Sequence, residues 1–188
     1  ITWWRALGKT LPPEGGSPPE DNPTVNAGRL MAIVREIRGE YDGPDGVLAW
    51  HRRLLTEPPD ELSLIGIASV CDHMAKASSH APQEAAAHWY RTAIDRCDSN
   101  MARFSLAIIR WNQGRLEGDP DGDDVETLLL HAARNQFGSA YGILGLLREK
   151  QGRLRGEIPG GSAESWYRRA VEAGFEDARA GLDRVRSS

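Results

Sequence analysis

No stretch of this 188-residue chain approaches the roughly 18 consecutive apolar residues that a membrane-spanning helix requires. Cysteine is scarce, with two in all, and lysine accounts for only three of the 23 basic residues. The formal net charge is −4, which is not the strongly basic footprint of a nucleic-acid binder. No segment alternates apolar and polar residues for long enough to read as a strand, so the fold class is all-α. No Gly-x-Ser-x-Gly elbow, Walker-type loop or His-Glu-x-x-His pair is present. The chain therefore offers no catalytic, cofactor or metal-ligating constellation.

What the sequence does contain is an echo. Gln113-Gly114-Arg115-Leu116 returns 38 residues later as Gln151-Gly152-Arg153-Leu154. The flanks return with it: Ala102 to Arg110 answers to Ala140 to Arg148, and Trp166 to Ala170 answers to Trp89 to Ala93. A period of this size marks stacked helical units, none of which buries its apolar face alone. The register extends toward the N-terminus through Ser63 to Cys71 and Ala27 to Arg35. The resulting units cover about 27–60, 63–98, 102–136 and 140–174, with a capping helix over 178–188.

Both halves of each unit have helical spacing. Ala102, Leu106, Ala107 and Ile109 stand at i, i+4, i+5 and i+7, as do Ala140, Leu144, Gly145 and Leu147. The second half pairs a large ring with a small residue at i, i+4 in Trp89/Ala93 and Trp166/Ala170, with Trp50/Leu54 at the same register and Leu128/Ala132 as the weaker copy. Pro58, Pro59, Pro82, Pro120 and Pro159 fall between helices, and Asp60, Asp123 or Asp124, and Ser162 are the expected N-caps. Placed on such helices, Cys71 and Cys97 stand on the order of 10 Å apart along the axis, beyond disulfide reach.

The run Asp119-Pro120-Asp121-Gly122-Asp123-Asp124 imitates a calcium loop. Counted from Asp119, however, loop positions 6 and 12 hold Asp124 and Leu130 instead of the glycine and glutamate an EF-hand needs. It reads as an acidic inter-helix loop ending in an N-cap. Residues 1–23 form a separate Trp/Pro-rich segment, with Trp3-Trp4 and then five prolines, ahead of the repeat domain at 24–188. Two readings stay open for it: a short capping helix with a surface linker, or a juxtamembrane segment with paired Trp beside Arg5. Because the chain starts at Ile1, a signal peptide, an anchor or another domain is expected to have been removed. That makes a periplasmic location the expectation ahead of a cytoplasmic one, with membrane proximity through the removed anchor.

Leu144-Gly145, Gly152, Gly156, Trp166, Ala170, Gly174 and Ala178 occur in the order of the Sel-one-like repeat, a longer-looped relative of the tetratricopeptide repeat. The chain resembles that family over about residues 27–186, apart from the second unit, which lacks the loop glycines, and the third, where Leu128 replaces the aromatic. The resemblance implies an α-helical solenoid of about four helix-turn-helix repeats acting as a non-catalytic protein-protein interaction module. Its most concrete form is a bacterial immunity protein neutralising a secreted type VI-like effector. The alternative is a scaffold or adaptor in the cell envelope or in signalling, with this chain as a fragment of a larger protein. In tetratricopeptide-like arrays the first helix of each unit lines the concave face. Arg35, Arg110 and Arg148 share one position there, with Arg103, Trp111 and Tyr141 nearby on the same helices. Arg, Tyr and Trp are enriched at interface hot spots, so these six residues are the expected partner-binding set. The expected partner is a protein with an acidic or phosphate-bearing surface, and no nucleic acid.

The repeated ring position generates the first prediction. Trp166→Ala should lower unfolding stability by roughly 3–5 kcal/mol, measured by urea denaturation against the parent chain.

Overall fold

A computed structural model describes residues 61–77, 83–158 and 160–188. The chain divides into two compact units, Ile1–Leu54 and Leu55–Ser188, and all described residues belong to the second. The expected units and caps before residue 61, including Arg35, Trp50 and the Trp3-Trp4 segment, lie outside the described residues. So do most of the loop expected over Ala77 to Pro82, and Pro159.

The described residues form seven α-helices and no strand. They are α1 (Glu61–Ala77), α2 (Gln83–Cys97), α3 (Asn100–Asn112), α4 (Val125–Arg134), α5 (Ser139–Lys150), α6 (Ala163–Glu172) and, after a 3-10 turn at Glu176–Ala178, α7 (Arg179–Ser187). Each helix packs mainly on its neighbours in chain order, and α7 also reaches α5. This all-α arrangement agrees with the helical expectation.

The starts and stops of these helices have local causes. Ser99, Asp124 and Ser162 are N-caps whose side-chain oxygens accept from the backbone N–H of Ala102, Thr127 and Ser165. Asp124, not Asp123, is thus the cap of α4. After α2, α4 and α6 the chain turns through Asp98, Gln136 and Gly174, all with positive φ (53°, 59° and 87°) and each 38 residues from the next. Only the last of the three is a glycine, although an L side chain at such a φ costs roughly 1–2 kcal/mol.

Small residues build the interior. Ala68, Ala86, Ala93, Ala107, Ala132 and Ala140 are fully buried around Leu64, Leu106, Leu129, Leu144 and Leu147. Trp166 is buried among them, its indole N–H donating to the Gly160 carbonyl at 2.7 Å and its ring stacked on Tyr141. Cys71 and Cys97 are half-buried thiols and share no disulfide.

Gly145 makes room for a ring. A Cβ there would lie 2.6 Å from the Tyr167 ring, and one at Gly181 would lie 2.7 Å from the same ring. Tyr167 on α6 is therefore clasped between glycines of α5 and α7, and its hydroxyl donates to Glu149 at 2.7 Å. A methyl on either side has nowhere to displace the ring. Gly142, one turn earlier on α5, has open space where its Cβ would be. Gly145→Ala should therefore cost about 1–3 kcal/mol through overpacking, whereas Gly142→Ala should gain up to about 1 kcal/mol from helix propensity. Paired urea melts of the two variants check the contrast.

Candidate functional site

The features shared by the two complete copies converge at the loop joining α3 to α4 and its counterpart joining α5 to α6. Each loop begins at a glycine with positive φ, Gly114 or Gly152 (75° and 72°), where an L side chain would be strained. The following N–H then reaches back into the helix, Arg115 N to Arg110 O at 3.0 Å and Arg153 N to Arg148 O at 2.8 Å. The carbonyls of Arg115 and Leu116 accept from the N–H groups of Val125 and Glu126, at 3.1 and 3.0 Å. In the second copy Arg153 and Leu154 do the same for Ala163 and Glu164, at 2.9 and 3.0 Å. The first backbone donors of a helix have no partner within it. The echoed loop supplies one.

The arginines that precede these loops are interior. Arg110 and Arg148 are both 0% exposed. Arg110 donates through Nε and Nη2 to Asp123 at 3.1 and 2.7 Å, and through Nη1 to Gln113 at 2.6 Å and Glu84 at 3.1 Å. Arg148 donates to Gln151 at 2.7 Å and Glu126 at 2.7 Å, with a longer bond to the Gly160 carbonyl at 3.4 Å. The glutamines also donate outward, Gln113 to Glu84 at 3.2 Å and Gln151 to Glu117 at 2.6 Å. A charge taken out of water has to be paired to persist. These arginines satisfy that demand inside the chain, which corrects the expectation that they form a column open to a partner.

Asp123 also pairs with Arg91, and Arg115 lies 3.3 Å from it. Burial pushes its carboxyl up, but the Arg110 and Arg91 hydrogen bonds and charges outweigh that and hold it below the usual range. The Arg148 hydrogen bond likewise holds Glu126 below the usual glutamate range, against its partial burial. The rest of the acidic run has structural partners too: Asp119 pairs with Arg115, and Asp124 caps α4. No group of three or more His, Cys, Asp and Glu suited to a metal ion occurs among the described residues.

Successive joints are also linked to each other. Glu117 accepts from Gln151 and lies 3.8 Å from Arg153 of the next loop. Arg155, at the equivalent position, donates twice to the Val185 carbonyl, at 2.9 and 2.6 Å, near the end of α7. Arg186 continues the arginine register 38 residues beyond Arg148 and contacts Glu164 at 3.3 Å, as Arg148 contacts Glu126. On α7, Arg184 grips Glu149 at 2.6 and 2.8 Å. The Arg184 hydrogen bonds, helped by the Tyr167 hydroxyl, bring that glutamate down to about 2.

Of the other expected partner-binding residues, Arg103 is also turned inward, donating to the Asp98 carbonyl at 2.8 Å and pairing with its carboxylate. It fastens the positive-φ turn after α2. Trp111 is half-buried, with the Lys150 ammonium 5.5 Å from its ring centre. Tyr141 is half-buried against Trp166, ring centres 5.9 Å apart. The sequence reading did not name Gln113, Gln151, Asp123, Glu84 or Glu126 as partners of these arginines. The available signals were the identical Arg-x-x-Gln spacing in both copies and the shared glutamate at 126 and 164.

No family model, curated protein or solved structure matches this chain.

The Arg148–Glu126 contact generates a double-mutant cycle. Arg148→Met should cost about 3 kcal/mol by stranding a largely buried carboxylate. Combined with Glu126→Gln it should cost less than the sum, with a coupling of about 2 kcal/mol at neutral pH. Because Glu126 is depressed in the folded state, that coupling is complete above the ordinary glutamate value of about 4.3 and fades as pH falls through the folded one. Urea midpoints of all four proteins at neutral and acid pH measure it.

Proposed function

We propose that this chain is a non-catalytic protein-binding module, a stack of Sel-one-like helical hairpins that meets its partner through the first helix of each hairpin. The observation that carries this reading is a contrast between helix sets. Over 62–71 of α1, 101–109 of α3 and 139–147 of α5, every residue that is not buried is uncharged. Leu62 is 58% exposed and Leu146 is 43% exposed, and Ile65, Met101, Ile108 and Ile143 are partly so. On α2, α4 and α6 the exposed positions include Glu84, Asp95, Arg96, Arg134, Arg168 and Arg169. Charged residues are depleted from the cores of protein interfaces, and an apolar patch left in water is the usual mark of one.

The binding face is thus carried by the uncharged positions of α1, α3 and α5. Arg110 and Arg148 support it from beneath by holding the hairpins together. The partner class that fits is a protein with an apolar contact surface, in place of the acidic one expected from an exposed arginine column. Under the family resemblance its concrete form is a secreted bacterial effector, which this chain would neutralise by occlusion.

Affinity capture from the source organism with the parent chain and with Ile108→Glu/Leu146→Glu tests the proposal. One stoichiometric partner is expected on the parent, reduced at least tenfold on a folded double variant. Equal capture by both, or no stoichiometric partner, would overturn the binding face. A captured partner that is harmless when expressed alone would remove the immunity form and leave the binding module.

A further inference from the structure

We propose that the Asp121–Gly122 peptide is a site of spontaneous isoaspartate formation, and that this modification loosens the joint organised by Asp123. Three of the four aspartates in this loop have fixed roles. Asp119 is held by Arg115, Asp123 by Arg91 and Arg110, and Asp124 by the α4 N-terminus. Asp121 is the exception. It is exposed, and its carboxylate makes no hydrogen bond or ion pair among the described residues. It is also the aspartate followed by glycine, whose backbone nitrogen has no side chain to shield it.

The fold itself demands that glycine. Gly122 has φ +71°, and a Cβ there would lie 3.2 Å from the Thr127 methyl. Only glycine fits the turn without strain, so the reactive dipeptide is built into the geometry. In the next loop the corresponding residues are Pro159–Gly160, which lack the carboxyl group. One joint is therefore susceptible and its neighbour is not.

The chemistry needs only water. When the bond from Gly122 N to Asp119 O, 3.0 Å long, opens, the freed Gly122 nitrogen attacks Asp121 Cγ. The nitrogen gives up its proton, a carboxyl oxygen leaves as water, and a five-membered succinimide closes. Water then adds to the imide at the former Asp121 main-chain carbonyl, and that carbon–nitrogen bond breaks. The chain now runs through Cβ and Cγ, the main-chain carbonyl has become a free carboxylate, and the mass is unchanged. The backbone is longer by one methylene, about 1.5 Å, two residues before Asp123. Asp123 holds Arg110 through two bonds of 3.1 and 2.7 Å, and the inserted length draws it out of that grip.

The test ages the full chain at neutral pH and 37 °C (about body temperature) for several weeks beside Asp121→Ser, each compared with its own fresh sample. Peptide mapping of 116–134 should show an isoaspartyl form of unchanged mass and a precursor lighter by one water. The aged parent should melt about 5 °C lower, while Asp121→Ser keeps its midpoint. The sequence also contains Asp42–Gly43 and Asp45–Gly46, and the comparison with Asp121→Ser assigns the shift to residue 121. An unmodified 116–134 peptide, or an equal fall in both proteins, would overturn the proposal.

Discussion

A buried guanidinium offers five N–H donors, and each one left without an acceptor in a low-dielectric interior is costly. Arg110 and Arg148 impose that requirement on the segments around them. Their acceptors come from three places: the glutamine that caps the same helix, a glutamate from the preceding helix, and the loop that follows. Meeting most of that requirement fixes where the loop runs and where the next helix begins. The positive-φ glycine, the returning carbonyls and the N-cap then complete one joint. The glutamine, the positive-φ glycine, the returning carbonyls and the N-cap recur at a spacing of 38, so the frame of the joint recurs, whereas the acids that meet the arginine do not keep that spacing.

The two copies close that joint differently. In the copy around Arg110, Asp123 takes the Nε of Arg110, and the following helix carries Leu128. In the copy around Arg148, Gly161 stands where Asp123 does and Trp166 stands where Leu128 does. A Cβ at Gly161 would lie 2.5 Å from the Trp166 indole nitrogen. Ring and carboxylate therefore compete for one space. Where the ring is present, its N–H closes the loop onto the Gly160 carbonyl, and the Nε of Arg148 is left without a partner. Replacing Leu128 alone by Trp would set the ring against the carboxylate that holds Arg110.

Charge at the joints also shapes the surface. Arg103, Arg110 and Arg148 lie on the same helices as the uncharged outward face, yet all three point into the structure. Those helices need arginine to be joined, and they keep it away from water. Over 62–71, 101–109 and 139–147 the outward residues are uncharged, the exposed Glu61 and Lys150 standing at the ends of α1 and α5, while the alternate helices carry exposed acids and bases as well.

The helices, their amphipathic register and most of their caps were legible in the sequence, because those features rest on contacts within about four residues along the chain. Ser162, the alanine and leucine stripes of α3 and α5, and the loop glycines all follow from spacing alone. The direction of the arginine side chains did not. Arg110 meets Glu84 and Asp123, which lie 26 and 13 residues away, and nothing local distinguishes a partnered interior guanidinium from a solvated one. Gly145 shows the same limit, since spacing marks a small residue but not the Tyr167 ring that requires it. Sequence by itself determined a helical repeat and its period. Only the tertiary structure decided which side chains the helices turn inward, because burial is a property of the neighbours brought together by folding.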